Sequence, residues 1–473
     1  MEPTSFSRRN FIKSAATTAA ILALNRTRVL GADASPPSAQ SGSIITDGSG
    51  KRFAPGPVLN WTNASDHVDI TIDPKQTAQT LSGFGSALTD AACYNLALLP
   101  DSSRHQLLTE LFSPDQMGLT VCRICIGASD YTTDCFSYDD GAPDPDLNHF
   151  TIDHDQRRVI PILREALAIN PNLFLFASPW SPPGWMKYGG SMCGGSLQLK
   201  NSDVYAHYIL KYLQAYQAAG VHVSAITIQN ETDTDQNGLM PACTWSQEVE
   251  DRYIAEHLGP LLQKESPSTR IWILDHNYDL IGRVLDQMAK PEVRRYINAV
   301  AWHGYGGEPE QMKLLWQTYP GMEMRFTEWG DHFDARDYLT DWASWSTRFT
   351  RILRNGPSSI TTWNLALDEN GKPNIGPAHC GGLVTIHSGT REIIRSGLYW
   401  TMQHYSRGFI PGSKIVATRG DVSDVSHIAA MLPGGGIVLI LSNTGAARAI
   451  RIASDDKVAE FNLPADSVVT LMA

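Results

Sequence analysis

The sequence predicts an α/β protein: a (β/α)₈ TIM barrel with an attached, discontinuous antiparallel β-sandwich domain. Eight short apolar runs recur between residues 81 and 363, without the strict alternation of strands that have one solvated face. Helical patterns fill the intervals, as expected for repeated strand–helix units. From about Ser413 the runs become β-type and are separated by turns with no helical pattern between them, which is typical of antiparallel sheet.

The barrel strands are predicted where continuous apolar sequence suits burial on both faces. Their ranges are 81–87, 119–126, 173–177, 223–228, 271–274, 299–302, 324–327 and 360–363. Apolar residues at 3.6-residue spacing predict helices over 156–169, 201–220 and 248–262. A doubly wound open sheet is the alternative, but no glycine-rich phosphate loop follows the first strand.

Changes in pattern divide the chain into five segments. The prediction is an export signal over 1–34, a linker over 35–57, the first part of the β-sandwich over 58–80, the barrel over 81–400 and the rest of the β-sandwich over 401–473. The linker is rich in Pro, Ser and Gly. Residues 68–72 alternate apolar and polar side chains, and assigning them to the β-sandwich makes that domain discontinuous.

The N-terminus has the features of a twin-arginine export signal. Arg8 and Arg9 precede a short apolar run over 15–24, and Ala32 and Ala34 offer small residues for cleavage. The run is too short to span a bilayer, and no later run reaches the length of a membrane helix. We therefore expect a protein exported by the twin-arginine pathway, periplasmic or secreted, whose mature chain has no integral membrane segment.

The charge of the chain argues against nucleic acid as a partner. The formal net charge is -11, and the export segment is itself basic, so the remainder is more acidic still. Twelve tryptophans and sixteen tyrosines instead offer stacking surfaces to a neutral ligand. Cys122 and Cys125 have C-x-x-C spacing, but on a strand they face opposite sides, which favours packing over metal or redox use.

Polar and aromatic residues follow every predicted barrel strand, although the strands themselves are apolar. These strand ends carry Asp90, residues 129–131 and 178–180, Asn230, Glu231, residues 275–277 and 303–305, Glu328, Trp329 and Asn364. In a TIM barrel, catalytic residues lie at the C-terminal ends of the strands. The sequence therefore predicts an active site at that face.

Two glutamates at these ends indicate chemistry on a glycosidic bond. Glu231 follows the fourth strand and Glu328 ends the seventh. Glycosidic cleavage needs one carboxyl group to protonate the leaving oxygen and one carboxylate to meet the oxocarbenium-like centre. For either glutamate alone, a salt bridge at a strand end is the alternative.

Several of the strand-end motifs together resemble glycoside hydrolase family 30, most closely its glucosylceramidase branch. They are GFGSALTD at 83–90, ASPWSPPGWMK at 177–187, QNE at 229–231, AWHGY at 301–305, TE at 327–328 and WNLAL at 363–367. The resemblance covers roughly residues 52–473. Two segments depart from it: Thr232 stands where the family usually has proline, and residues 374–382 differ from the mammalian glucosylceramidase pattern.

The resemblance implies a retaining β-glycosidase without metal or cofactor. It implies that Glu231 is the acid/base and Glu328 the nucleophile. It carries substrate contacts to Asp130, Trp180, Asn230, His303, Tyr305 and Trp363. Arg123 matches a family arginine that either supports the nucleophile or only neutralises a core carboxylate.

The substrate expected from the resemblance is a β-glycoside, either an oligosaccharide or a glycolipid, and a β-glucosidic bond is favoured. The alternatives within the family are β-1,6-glucanase, β-xylosidase and β-fucosidase. A metal-dependent barrel hydrolase is disfavoured, because residues 83–90 contain no histidine. A carbohydrate-binding protein on an inactive barrel would have lost one glutamate, and both are present.

Overall fold

The computed structural model describes residues 42–63 and 67–472. The predicted export signal and the first part of the predicted linker lie outside the described residues. Eight parallel strands close into a barrel in which the first strand pairs with the eighth. They are Gly83–Ala87, Val121–Ile126, Phe174–Pro179, Ala225–Thr227, Arg270–Asn277, Ile297–His303, Glu323–Glu328 and Ser359–Thr362. The predicted (β/α)₈ barrel is confirmed.

Helices surround the barrel between successive strands. The α-helices are Asp90–Ala97, Asp101–Phe112, Asp153–Arg157, Val159–Ile169, Ser202–Ala218, Gln247–Arg252, Gly259–Glu265, Ile281–Ala289, Pro291–Arg294, Met312–Thr318, Trp342–Leu353 and Gly397–Gly408. Short 3₁₀ turns cover Gly184–Met186, Leu199–Asn201, Gln236–Gly238, Tyr278–Leu280 and Pro309–Gln311. Tyr253–Leu258 is a π-helical turn just before Pro260, whose ring nitrogen has no hydrogen to donate to an α-helical carbonyl. Among the described residues, no helix is long and apolar enough to cross a membrane.

Towards the N-terminal ends of the strands, apolar side chains pack in the interior of the barrel. Phe176 and Trp272 pack there with ring centroids 4.8 Å apart, together with small residues of neighbouring strands. This filling closes the barrel to solvent from below. The polar residues at the strand ends therefore lie above an apolar layer of the barrel interior.

A ten-stranded sheet forms the second layer of the molecule. In spatial order its strands are Ala54–Pro55, Ser43–Asp47, Ser467–Met472, Ile437–Asn443, Val425–Met431, Lys414–Arg419, Ile70–Thr80, Arg448–Ser454, Lys457–Leu463 and Thr62–Asn63. All neighbours are antiparallel except Ile70–Thr80 and Arg448–Ser454, which are parallel. Because Ile70–Thr80 precedes the barrel in sequence, the sheet is discontinuous, as predicted.

Two of the predicted segment boundaries are wrong. Ser43–Asp47, within the predicted linker, is a strand that pairs with Ser467–Met472, and Ile45 is buried in the sheet. The β-branched run Ile44-Ile45-Thr46 drives this pairing, although Ser and Gly flank it. The boundary at 400/401 falls inside helix Gly397–Gly408, which Ser396 caps by accepting from the Tyr399 backbone N–H.

Other elements were also not predicted, among them the following strands. Lys457–Leu463 is a sheet strand whose buried residues include Val458 and Phe461. After the eighth barrel strand, Ala366–Leu367, Val384–Ile386 and Ile393–Arg395 form a small three-stranded sheet.

Candidate active site

Glu231 and Glu328 lie at the same end of the barrel, and Glu231 has an unusual backbone conformation. Glu328 is the last residue of the seventh strand. Glu231 follows the fourth strand with a left-handed φ of 56°, and its backbone N–H donates to the Asp275 carbonyl at 3.0 Å. A non-glycine residue in this region is strained and must be held there by its surroundings.

Arg123, on the second strand, is fully buried beneath the site. Its guanidinium donates to a carboxylate oxygen of Glu328, to Asn230 Oδ1 at 2.7 Å and to Asp275 Oδ2 at 2.7 Å. Its Nε donates to Ser178 Oγ at 3.1 Å. One arginine therefore positions a candidate catalytic glutamate and a candidate substrate-binding amide at once.

Asp275 is a site residue that the sequence placed at a strand end without assigning it a role. Its carboxylate accepts hydrogen bonds from Arg123, Ser178, Thr227, His303 and Thr327. Burial opposes the ionised form, but Arg123 and these hydrogen bonds outweigh it and hold the pKa of Asp275 well below its usual range. A permanent anion therefore lies under the site.

A β-bulge explains how two neighbouring residues of the fifth strand both reach the site. The register against the sixth strand shifts at Asp275, so that Leu274 pairs with Ala301 and His276 pairs with Trp302. Asp275 has a left-handed φ of 47°. Such a bulge re-aims side chains that would otherwise alternate between the two faces of the strand.

His303 lies between the two glutamates. Its Nδ1 is 3.5 Å from Glu231 Oε1, and its Nε2 is 3.1 Å from Asp275 Oδ1 and 3.8 Å from Glu328 Oε2. Burial lowers the pKa of this imidazole, but Glu328, Asp275 and Glu231 outweigh burial and raise it to about 9. The histidine is therefore a cation in contact with both glutamates at neutral pH.

Glu231 has a different environment from Glu328. Gln236 Nε2 donates to Glu231 Oε2 at 2.5 Å, and His276 Nδ1 lies 3.8 Å from Oε1. Asp233 holds the far nitrogen of His276 at 2.7 Å. Burial acts to raise the pKa of Glu231, but His303 and His276 outweigh it and lower that pKa.

Tyr305 joins the rim of the site to Glu328. Its hydroxyl donates to Glu328 Oε1 at 3.1 Å and accepts from the Gly330 backbone N–H at 3.1 Å. The residue is 45% exposed, unlike the rest of the cluster. Tyr305 therefore presents surface to an incoming ligand while it holds the carboxylate.

Trp180 and Trp363 form a buried wall of the site. Their rings stack with centroids 5.1 Å apart, and the Arg123 guanidinium lies 4.8 Å and 5.3 Å from the two rings. Each residue is only 2% exposed, so little ring surface remains for stacking. They act mainly by fixing Arg123.

Asp130 lies against the segment 374–382. The Ile375 backbone N–H donates to the Asp130 carbonyl at 2.8 Å. A Cβ on Gly376 would come within 2.7 Å of Asp130 Cβ, so glycine permits this close approach. Burial, followed by the charges of Glu328 and Glu231, raises the pKa of the Asp130 carboxyl to about 8.

Thr232 is fully buried, and its carbonyl accepts from the Trp245 backbone N–H at 2.8 Å.

Cys122 and Cys125 face different clusters, one behind the barrel wall and one beside Trp180, as their spacing predicts. All seven cysteines lie in the described part of the chain and are unpaired thiols.

The structure brings all nine of the predicted site residues to one end of the barrel. It adds Asp275, His276 and Gln236. The sequence placed Asp275 and His276 at the polar end of the fifth strand. Gln236 lies in a loop, and no sequence pattern pointed to it. A closed barrel with two carboxylates in contrasting environments at its strand ends defines a glycosidase-type hydrolase site.

The chain belongs to glycoside hydrolase family 30. The sequence pattern of the glycosyl hydrolase family 30 TIM-barrel domain matches residues 81–410, and that of the family's beta sandwich domain matches residues 412–471. Both domains of the family are therefore present.

The chain resembles relatives that are named as two different kinds of enzyme. An endo-1,6-beta-D-glucanase of Neurospora crassa is 31% identical over 396 residues, covering 79% of this chain and 81% of that protein. Putative glucosylceramidase 3 of Caenorhabditis elegans is 29% identical, covering 87% of this chain and 83% of that protein. A solved structure of an endo-β-1,6-glucanase has a TM-score of 0.83 at 28% identity and covers 92% of this chain and 99% of that one.

Proposed function

We propose that this glycoside hydrolase cleaves β-glucosidic bonds with retention of configuration, with Glu328 as nucleophile and Glu231 as acid/base. The observation that carries the proposal is the placement of two carboxyl groups at the same end of the barrel, Glu231 after the fourth strand and Glu328 at the end of the seventh, with His303 close to both. Arg123 and Tyr305 donate to Glu328 and hold its carboxylate in a fixed orientation. Glu231 instead faces the imidazoles of His276 and His303.

In the first step Glu231 protonates the leaving oxygen while Glu328 attacks the anomeric carbon, forming a glycosyl ester. Esterification removes the negative charge of Glu328. Arg123 and His303 then lose one of their anionic partners, and both remain held by Asp275. In the second step the ionised Glu231 takes a proton from water, which attacks the ester and releases the sugar.

The substrate contacts follow from donors and acceptors around the glutamates. Arg123 occupies the Asn230 amide oxygen, which leaves the amide NH₂ as the donor to a sugar hydroxyl. Asp130, with its raised pKa, both donates to and accepts from hydroxyls. Tyr305 and His303 border the bond to be cleaved, and Trp180 and Trp363 support the wall behind it.

We propose β-1,6-linked glucan as the substrate in preference to glucosylceramide. The similarity to the Neurospora crassa enzyme and to the solved endo-β-1,6-glucanase supports this choice. So does the position of residues 374–382, which depart from the mammalian glucosylceramidase pattern and lie against Asp130. Glucosylceramide is the second candidate because of the similarity to the Caenorhabditis elegans relative.

A substrate panel tests the proposal. Purified enzyme is incubated with linear β-1,6-glucan, glucosylceramide and aryl β-glucoside, β-xyloside and β-fucoside, and Glu328→Gln serves as the inactive control. We expect the highest kcat/KM on β-1,6-glucan and a first-formed product in the β-anomeric form by NMR. Faster turnover of glucosylceramide than of β-1,6-glucan overturns the proposed substrate. A first-formed α-anomer overturns the retaining mechanism.

We also propose that residues 1–34 direct export by the twin-arginine pathway. The support is the Arg8-Arg9 pair ahead of a short apolar run. Replacing both arginines by lysine in the full chain should leave the enzyme in the cytoplasm, measured by activity in cell fractions. Undiminished export of that variant contradicts the proposal.

A further inference from the structure

Three potential metal ligands converge at Glu231. Glu231 Oε1, His276 Nδ1 and His303 Nδ1 lie within 4.8 Å of one another. His303 Nδ1 is 3.5 Å and His276 Nδ1 is 3.8 Å from the carboxylate oxygen. Ligands of a tetrahedral Zn²⁺ lie about 3.3–3.5 Å apart, given bond lengths near 2.0–2.1 Å, so small side-chain shifts complete the geometry.

The two imidazoles are oriented as metal ligands are. Asp233 holds His276 Nε2 at 2.7 Å, and Asp275 holds His303 Nε2 at 3.1 Å. Both Nδ1 atoms are buried without a hydrogen-bond partner. A carboxylate on the far nitrogen of a histidine fixes the ring and raises the basicity of the near nitrogen towards a metal.

The third ligand is aimed in the same way. Gln236 occupies Glu231 Oε2, so Oε1 is the oxygen that faces the histidines. The carboxylates of Asp233, Asp275 and Glu328 surround the two rings and make the site attractive to a dication. Two nitrogens and one oxygen suit a borderline-soft ion such as Zn²⁺ rather than Mg²⁺ or Ca²⁺.

We propose that Glu231, His276 and His303 bind one Zn²⁺ ion, and that this ion inhibits the enzyme in competition with substrate. The inhibitory part rests on the proposed acid/base role of Glu231, because the ion occupies the carboxylate oxygen that must face the leaving oxygen of a bound substrate, so that metal and substrate exclude each other. The binding part stands on the ligand geometry, and binding of the ion releases the Nδ1 proton of His303 to solvent.

Direct binding tests the site independently of the reaction. Isothermal titration of the purified enzyme with ZnCl₂ should give one ion per chain. His276→Gln and Glu231→Gln should each weaken the affinity at least about tenfold, and Asp233→Asn should weaken it by about 10- to 100-fold. Thermal unfolding in the absence of metal checks that each variant is folded. Because Glu231→Gln is nearly isosteric, a loss of affinity in this variant reports the missing ligand and not a disturbed loop.

A second acidic cluster provides the matched control. Asp139, Asp144 and the 78%-exposed His149 also place ligand atoms within 4.8 Å of one another, and this cluster shares no residue with the proposed site. His149→Gln should leave Zn²⁺ affinity unchanged. Loss of binding in His149→Gln with retention in His276→Gln overturns the proposed site, as does the absence of stoichiometric binding.

Inhibition is measured separately, on β-1,6-glucan and on an aryl β-glucoside. Zn²⁺ should raise the apparent KM without lowering kcat, and His276→Gln should need at least about ten times more Zn²⁺ for the same effect. Tight binding without inhibition overturns the inhibitory role and leaves the binding site intact. If no glycoside is hydrolysed, the proposed function fails while the titration still decides whether the metal site exists.

Discussion

The Arg123 guanidinium donates to the carboxylate of Glu328, and the two side chains are 0% and 8% exposed. The same guanidinium also pairs with Asp275, which has no exposed surface. The pairing therefore serves two purposes: it neutralises a buried core anion and it holds the candidate nucleophile. The two interpretations of Arg123 that the sequence left open are not exclusive.

Replacing Arg123 by glutamine should destabilise the protein. The change removes the guanidinium that pairs with the buried carboxylates of Asp275 and Glu328, which costs about 3–5 kcal/mol in the free energy of unfolding. Urea unfolding followed by fluorescence measures it. Arg270→Gln is the control: this half-exposed arginine pairs with Glu323, and its loss should cost about 1 kcal/mol or less. Equal costs for the two variants contradict the role assigned to Arg123.

The barrel was predictable from sequence because buried parallel strands need uninterrupted apolar runs, and the chain carries eight of them. The strand Lys457–Leu463 alternates buried and exposed residues only imperfectly, with Val458 and Ala459 both buried. Ser43–Asp47 is stabilised by pairing with residues more than 400 positions away, which no local pattern reports.

The site was predictable to the extent that strand ends converge in a barrel. Glu231 and Glu328 came directly from that rule. The role of Asp275 depends on a bulge and a left-handed backbone, and His276 reaches Glu231 through the same bulge. Gln236 arrives from a 3₁₀ turn. Such contacts depend on backbone irregularities that a single sequence does not encode in recognisable form.

Glu231→Gln should impair hydrolysis in a way that depends on the leaving group. General acid catalysis contributes about 10²–10⁴-fold, so kcat/KM on β-1,6-glucan should fall by about that factor. An aryl glucoside with an acidic phenol needs no proton, and its kcat/KM should fall much less. Equal losses on both substrates contradict the acid/base role. Gln236→Ala, which removes only a hydrogen bond to Glu231, should have a smaller effect on both.

His303→Gln should move the alkaline limb of the pH profile upward. The alkaline limb of kcat/KM reports the pKa of the catalytic acid in the free enzyme, and the imidazolium of His303 lowers the pKa of Glu231. Removing this cation raises that pKa, so the limb should shift to higher pH. His105→Gln is the control, because His105 is exposed and pairs with Glu165 and not with either catalytic glutamate. An unchanged limb in His303→Gln contradicts the coupling.

Tyr305→Phe should lower kcat while the fold stays intact. The variant removes the hydroxyl that donates to Glu328 Oε1 and leaves the ring in place. Because this bond orients the carboxylate, we expect kcat to fall by roughly tenfold, since a hydrogen bond to a charged group contributes about 1.5–3 kcal/mol. Tyr188→Phe, at an exposed tyrosine, is the control and should keep the wild-type rate. A wild-type rate in Tyr305→Phe contradicts the positioning role.

A carboxyl pair outside the site predicts how stability depends on pH. Asp341 is buried beside Asp331, and burial together with this neighbouring carboxylate raises the pKa of Asp341 to about 9. A raised folded pKa means that the native state binds the proton more tightly than the unfolded chain does. This group therefore lowers stability progressively as pH rises from about 3.8 towards 9.

Asp341→Asn should remove that pH dependence, because asparagine is neutral and its NH₂ group donates to Asp331 as the protonated acid does. We expect Tm to rise by roughly 2 °C or more at pH 8 and to change little at pH 4, measured by calorimetry. Asp334→Asn, at an exposed aspartate of the same segment, is the control and should leave Tm unchanged at both pH values. A lower Tm for Asp341→Asn at pH 8 shows that Asp341 is ionised in the folded protein and pairs with a cation there.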